Sequence, residues 1–182
     1  MIVVLILSIV VFSFGVTMVF KFFQWGSEKT EEIDTETERQ IMEAMRGGND
    51  VVALSKKSTD TKPGIKTTIG LGINNILDTS KFTARITFDE AYAPDDKTLL
   101  QVNKAETERK WLGSFRQQEP IQIEKDKFVA IPITINAASS DKGTYVFNAC
   151  VFKEPQQPTN CLLENKETTY DKKIHQISIR II

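Results

Sequence analysis

The sequence predicts a mainly β protein in which an N-terminal transmembrane helix and a helical stalk precede a two-sheet β-sandwich. Three observations support this fold class. Residues 2–20 carry no charge, residues 27–48 combine many charges with apolar residues at helical spacing, and from residue 51 onward apolar residues recur at every second position. These changes divide the chain into an anchor (1–26), an acidic stalk (27–48) and one β domain (49–182) of ordinary size.

Residues 2–20 are predicted to cross a lipid bilayer as an uncleaved helix. Nineteen residues at about 1.5 Å each span roughly 28 Å, close to the roughly 30 Å of a bilayer core. Lys21 and Trp25 follow, where a snorkelling cation and an interfacial aromatic residue are expected. A cleavable signal peptide is the alternative, but no basic residue precedes the apolar run and the residues after it make a poor cleavage site.

The stalk is predicted to be helical and acidic, with seven acidic and three basic residues in 27–48. Thr35 and Glu38 fit a capping box, and Gly47-Gly48 provides a stop. A thin apolar stripe runs along it, made of Ile33, Ile41, Met42 and Met45. Two interpretations remain open for this stripe: it packs on the β domain, or it forms a helix–helix contact between copies.

The β domain is predicted from runs of alternating apolar and polar residues, each typical of a strand with one buried face. The strong runs cover residues 68–73, 82–89, 129–135, 145–151 and 177–181, and weaker ones cover 51–54, 99–102, 110–115 and 121–123. Turn-forming residues separate the runs, and no long run at helical spacing interrupts them. We therefore expect about seven short strands in two sheets. Gly70 and Gly72 lie inside the first run, where they indicate a bulge or close packing.

One local pattern sharpens the sandwich prediction. Asp141, Gly143 and Tyr145 form a D-x-G-x-Y sequence just before a strand. This pattern matches a tyrosine corner, in which the Tyr hydroxyl reaches back to the backbone and fixes how the chain crosses between two sheets. On this interpretation residues 129–137, 143–152 and 173–182 are the last three strands, E, F and G.

Four segments carry a resemblance to a known class of protein. They are Gly64-Ile-Lys-Thr-Thr-Ile-Gly-Leu-Gly-Ile-Asn-Asn75, Phe82-Thr-Ala-Arg-Ile86, Lys142-Gly-Thr-Tyr-Val-Phe147 and Ile177-Ser-Ile-Arg-Ile181. Over roughly residues 60–182 the chain resembles archaeal membrane-anchored cell-surface proteins with an immunoglobulin-like domain of the adhesion-module type. Its layout, a hydrophobic helix followed by an amphipathic helix and a β domain, is also similar to that of archaeal pilins and archaellins. Phe147 stands where antibody domains have their second cysteine, so the resemblance is to the sandwich alone.

Cys150 and Cys161, with ten residues between them, are the only cysteines. A disulfide between them would join a turn-rich loop to strand F, and two free buried thiols are the alternative. A metal site is disfavoured, because the chain has a single histidine, His175. A disulfide implies an oxidising compartment. We therefore expect an extracytoplasmic β domain, although the lysine and arginine residues that follow the anchor favour the opposite orientation.

Three further groups of residues are interpreted as structural. His175 is expected at a strand end, partly buried, because no nucleophile or orienting acid can be assigned to it. The loop carboxylates are either solvated or a Ca²⁺ site; they are Asp89, Glu90, Asp95 and Asp96. Trp111 and Phe115 are expected to pack in the core rather than to bind a ligand.

These observations predict a membrane-anchored, extracytoplasmic interaction or structural module without catalytic activity, metal or cofactor. The net charge of −1 gives no indication of nucleic acid binding, and no nucleophile, P-loop or dinucleotide motif is present. The expected partners are the lipid bilayer, through residues 2–20, and a protein or a second copy. A pilin-like filament subunit and an accessory subunit of a membrane complex are the alternatives.

Overall fold

The computed structural model describes residues 35–48, 50–138, 141–156 and 160–182, without the side chains of 46–48 and 114. Helices span Thr35–Gly48 (α1) and Lys104–Leu112 (α2). The strands are Val52–Leu54 (β1), Ser58–Thr61 (β2), Lys66–Asn75 (β3), Ser80–Tyr92 (β4), Ile121–Ile123 (β5), Lys127–Asn136 (β6), Gly143–Lys153 (β7) and His175–Ile181 (β8). Single 3-10 helices cover Gly113–Arg116 and Leu163–Thr168.

The predicted anchor, with Lys21 and Trp25, lies outside the described residues. Within the described ranges, no helix has both the length and the apolar character needed to cross a membrane. The membrane anchor and its interfacial residues therefore remain predictions from the sequence.

The strands form two sheets, as predicted. One sheet has three antiparallel strands in the order β1-β3-β6, and the other has five in the order β2-β8-β7-β4-β5. All neighbours are antiparallel except β2 and β8, which run parallel. In immunoglobulin notation β1, β3 and β6 are A, B and E, while β4, β7 and β8 are C, F and G. This order makes the domain an immunoglobulin-like sandwich, with β2 as the continuation of strand A in the opposite sheet.

The main core lies between the two sheets. The alternation in the sequence places Ile69, Leu71 and Ile73 of β3 inward, facing Phe82 and Phe147 of the other sheet, and all five are fully buried. Trp111 of α2 closes one side of this core, with its ring centroid 4.3 Å from that of Tyr145. Trp111 therefore packs in the core, as predicted.

Helix α1 covers the outer face of the three-stranded sheet, where β3 has no side chains at two positions. A Cβ added to Gly72 would lie 2.1 Å from Ile41 Cγ2 and 2.8 Å from Phe128 Cε2. A Cβ added to Gly70 would lie 2.6 Å from Ile41 Cδ1. The two glycines thus form a shallow channel that admits Ile41, which is fully buried together with Met45. The prediction that the stripe of the stalk packs on the β domain is confirmed for these two residues, and the glycines mark close packing.

The segment between β4 and β5 differs from the sequence prediction. Residues 110–115 form the end of α2 and a 3-10 turn instead of a strand, and residues 99–102 contribute only an isolated bridge between Leu99 and Tyr92. The side chain of Asn103 caps α2 by accepting a hydrogen bond from the Glu106 N–H at 3.1 Å, and Gly113 ends it at φ +53°. The prediction that no helix interrupts the strands was wrong, because these end signals and one buried turn suffice for a nine-residue helix.

Part of the connection between β7 and β8, which the structure describes over residues 154–156 and 160–174, lies on the outer face of the five-stranded sheet. The predicted disulfide is confirmed: Cys150 on β7 is bonded to Cys161 in this connection, and both are fully buried. The Cys161 N–H donates to Thr87 Oγ1 at 3.2 Å, and Asn148 Nδ2 donates to the Cys161 carbonyl at 3.1 Å. The disulfide and these two bonds hold Cys161 against the outer face of β4 and β7.

Candidate interaction groove

A groove of about 710 Å³ lies at the side of the sandwich where the first strand changes sheets. Strand β1 belongs to the three-stranded sheet and β2 to the five-stranded sheet, and the three residues 55–57 join them. Because β2 begins only opposite Ser178, the first residues of β8 have no neighbouring strand on that side. The groove occupies this gap, between β1 on one wall and the start of β8 on the other.

Both walls turn backbone groups toward the gap. The ladder between β1 and β3 uses the backbone of Val51 and Ser55. The alternation of an antiparallel ladder therefore directs the N–H and C=O groups of Val52 and Leu54 away from β3, toward the groove. On the opposite wall, the Ser178 N–H donates to the Lys57 carbonyl at 2.8 Å as the first bond between β8 and β2.

Lysines dominate the charged lining. The groove is lined by Lys57, Lys166, Lys172 and Lys173, and among the described residues Asp50 is the one carboxylate in the lining. Asp50 forms a salt bridge with Lys173, and this hydrogen bond lowers the pKa of Asp50 and raises that of Lys173.

The four lysines differ in their ion pairing. Lys172 pairs with Glu167 at 3.6 Å, outside the groove lining. Within the described residues, Lys57 and Lys166 have no carboxylate within salt-bridge distance. These two ammonium groups are therefore available to an anionic ligand.

His175 stands at the start of β8, partly buried, as the sequence predicts. Its Nε2 lies 2.6 Å from Asp171 Oδ2, and both side chains are nearly buried, at 12% and 5% exposure. Sequence reasoning missed this acid, because Asp171 precedes the strand in an irregular loop. No hydroxyl or thiol of the described residues is hydrogen-bonded to the His175 ring, so the pair fixes the loop at the strand end and lacks the nucleophile of a catalytic triad.

The predicted tyrosine corner lies away from this groove. The Tyr145 hydroxyl donates to the Asp141 carbonyl at 3.3 Å, the geometry expected of such a corner. Gly143 has φ +153°, and a Cβ there would lie 2.2 Å from the Tyr92 carbonyl oxygen. The three residues Asp141, Gly143 and Tyr145 thus position backbone between the sheets and offer no reactive group.

The four loop carboxylates point to separate partners. Asp95 accepts from the N–H groups of Thr98 and Lys97, and these bonds lower the pKa of its carboxyl. The other three bond elsewhere: Asp89 to Asn148, Glu90 to Tyr92, and Asp96 to both Thr144 and Arg180. Among the described residues no group of three or more potential metal ligands is brought together.

Sequence reasoning did not identify the groove. Its lysines lie in three separate segments, at 57, 166 and 172–173, and none of these segments has a motif. They converge only because strand A changes sheets and the disulfide holds the β7–β8 connection against the sheet. The one sequence signal was the pair of vicinal lysines Lys56-Lys57 in a link between strands.

Comparison with known proteins finds distant structural likenesses only. No family model and no curated protein matches this chain. Among solved structures, PapD-like domain 7 of human CEP192 is 14% identical over 72% of this chain and 85% of that chain, with a TM-score of 0.43. WR4, a C. elegans MSP family member, is 4% identical over 73% of this chain and 99% of that chain, with a TM-score of 0.38. A chaperone–tip adhesin complex of CFA/I fimbriae is 9% identical over 72% of this chain and 55% of that chain, with a TM-score of 0.38.

Proposed function

We propose that this protein is a membrane-anchored, extracytoplasmic interaction module that binds a protein partner in the lysine-lined groove and performs no catalysis. The observation that carries the proposal is the groove itself, where two ammonium groups without an ion pair among the described residues lie beside strand edges that no described strand covers. Helix α1 packs on the outer face of the three-stranded sheet, and Cys161 of the β7–β8 connection packs on the outer face of β4 and β7. The groove is thus a surface on which the described residues offer both charge and backbone to a partner.

Two sequence features support the location. Residues 2–20 have the length and apolar character of a membrane span. The Cys150–Cys161 disulfide is of a kind that persists in oxidising compartments and is rare in the cytoplasm. Both features agree with a sandwich displayed outside the membrane, and the absence of catalytic activity is part of the same proposal.

Site-specific photo-crosslinking in intact cells tests the binding surface. A photoreactive residue at Leu163, which lines the groove and is 81% exposed, should form an adduct with a specific protein. The same residue at Ile65, which is 54% exposed and outside the groove, is the matched control and should form none. Adducts of equal yield at both positions, or none at Leu163, would overturn the proposal.

A pilin-like filament subunit is a second candidate, favoured by the way α1 lies on the three-stranded sheet. An amphipathic helix that continues from a hydrophobic one and packs on a β domain suits a filament in which helices of many copies bundle together. Met42 lies on α1 between the buried Ile41 and Met45 and is 39% exposed. Homomeric crosslinks from Met42, in ladders of increasing size, would favour the filament, whereas adducts to one other membrane protein would favour an accessory subunit.

A further inference from the structure

We propose that the groove binds an extended, carboxylate-rich peptide segment of a partner protein as an added strand beside β8. This inference rests on the proposed function and names the partner's chemistry. The bound segment would lie in the five-stranded sheet beside the first residues of β8, which β2 does not reach because it begins at Ser58. Its backbone would pair with β8, and its acidic side chains would meet the lysines.

The unpaired edge of β8 supports strand addition. Ser178 and Arg180 turn their peptide groups toward β2, and the Ser178 N–H donates to the Lys57 carbonyl. Gln176 lies two residues earlier on the same strand, so its N–H and C=O point to the same side. Neither the N–H nor the C=O of Gln176 forms a backbone hydrogen bond on this side with the described residues. Gln176 is exposed and lines the groove, so an incoming strand can reach these groups.

The shape of the gap suits one extended segment. About 710 Å³ is within the roughly 300–1,000 Å³ of ordinary ligand sites. The opposite wall is β1, whose Val52 and Leu54 also direct backbone groups toward the groove. A single strand between these edges would find hydrogen-bonding groups on both sides, as in other proteins that bind peptides by adding a strand to a sheet.

The charge of the lining selects acidic side chains. Lys57 directly precedes β2, and Lys166 lies on the β7–β8 connection, which also lines the groove. Because successive side chains of a strand point to opposite faces, acidic residues at every second position of the segment would share one face. The residues between them would meet apolar lining of the groove, which includes Ile174 and the exposed Leu163. The expected ligand therefore alternates acidic and apolar residues.

Fluorescence anisotropy with the full-length chain in detergent micelles tests the charge requirement. The probe is a fluorescein-labelled ten-residue peptide of alternating Glu and Val, with a Lys–Val peptide of the same length as its control. We expect binding of the acidic peptide that weakens as salt is added. Lys57→Glu/Lys166→Glu should weaken it by about tenfold or more. Lys62→Glu/Lys66→Glu, which reverses two exposed lysines outside the groove, should change it by less than about twofold.

Hydrogen exchange on the same complex tests strand addition. The Gln176 amide should exchange more slowly when the Glu–Val peptide is bound, because it becomes a donor to the peptide backbone. Unchanged exchange at Gln176 would overturn strand addition even if the lysines matter. Equal binding of both peptides, or none, would overturn the acidic ligand. Binding to vesicles containing phosphatidylserine that the groove variant abolishes, without peptide binding, would reassign the lysines to a membrane surface.

The outcomes separate this inference from the function on which it rests. A groove-specific protein adduct at Leu163 in cells, together with no affinity for the Glu–Val peptide, would retain the interaction module and reject the acidic strand. If neither a Leu163 adduct nor binding of the Glu–Val peptide were observed, both the interaction module and the acidic strand would be rejected.

Discussion

Gly72 is the residue at which the contact between helix and sheet is tightest. Gly72→Ala would place a methyl group 2.1 Å from Ile41 Cγ2, a branched methyl group that a helix holds in one rotamer. We expect Gly72→Ala to lower the free energy of unfolding by about 1–3 kcal/mol. Urea unfolding followed by circular dichroism measures this change.

The double variant Gly72→Ala/Ile41→Ala provides the matched control. Ile41→Ala alone should cost about 2–5 kcal/mol, because it leaves a cavity over β3. If the two residues compete for the same space, Gly72→Ala should cost much less in the Ile41→Ala background. Additive costs would contradict this competition and assign the cost of Gly72→Ala to its other close neighbours, such as Phe128.

Gly143 and Tyr145 serve the same corner but should differ in their contributions. Gly143→Ala would place a side chain at a residue whose φ is +153°, and its Cβ would lie 2.2 Å from the Tyr92 carbonyl oxygen. We therefore expect the free energy of unfolding to fall by about 2 kcal/mol or more. Tyr145→Phe removes the hydroxyl that donates to Asp141 and should cost only about 1 kcal/mol. Chemical unfolding of both variants tests this order, and a larger loss for Tyr145→Phe would contradict it.

The salt bridge between Asp50 and Lys173 in the groove should make the stability of the protein depend on pH. Its pKa is lowered from the ordinary value of 3.8 by the hydrogen bond from Lys173. A carboxylate with a lowered folded-state pKa stabilises the protein fully above its unfolded pKa and loses this contribution as the pH falls through the folded value. We expect the urea midpoint of Asp50→Asn to be below that of the parent near pH 7 and to converge with it below pH 3.8. Asp78→Asn, at a carboxylate that is 97% exposed, controls for the loss of one charge, and parallel curves for Asp50→Asn and the parent would contradict the prediction.

At the scale of elements, the β7–β8 connection depends most on a single bond. Its disulfide closes a loop with a sequence separation of 11, so reduction should lower the free energy of unfolding by about 3 kcal/mol in the loop-entropy model. The Tyr170 N–H of this connection donates to the Val151 carbonyl of β7 at 2.7 Å. Hydrogen exchange of the Tyr170 amide should accelerate on reduction. Cys150→Ser/Cys161→Ser should match the reduced protein and be insensitive to reductant. No change in either measurement would show that the connection is held by its other contacts alone.

The long strands could be predicted from the sequence, because the face of each that points into the core is apolar at every second position. Strand β2 could not, since Ser58-Thr59-Asp60-Thr61 has no apolar residue and is held at the edge by backbone bonds to β8. Helix α2 was missed because its large buried residues, Trp111 and Leu112, are adjacent in the sequence and lie in its last turn. Such a short apolar run does not distinguish a helix from a strand. Its capping residue Asn103 and its end at Gly113 were the signals that distinguish them.

At the scale of the whole molecule, the corner and the disulfide followed from local sequence, whereas the groove did not. The pattern at residues 141–145 is contiguous, and two cysteines offer only one pairing. The groove instead depends on where strand A changes sheets, which brings Lys57 and Lys166 into the lining of one groove from distant parts of the chain. No periodicity encodes that position, so the interaction surface becomes visible only once the sheets are assembled.

The central claim of the proposed function is that the sandwich lies on the outer side of a membrane. An oxidising compartment there would preserve the disulfide, and partners outside the cell would have access to the groove. Protease shaving of intact cells, followed by mapping of the released peptides under non-reducing conditions, tests it most directly. We predict release of sandwich peptides from intact cells, with Cys150 still joined to Cys161. Release only after lysis, with both cysteines free to react with an alkylating reagent, would contradict the account and place the sandwich on the cytoplasmic side.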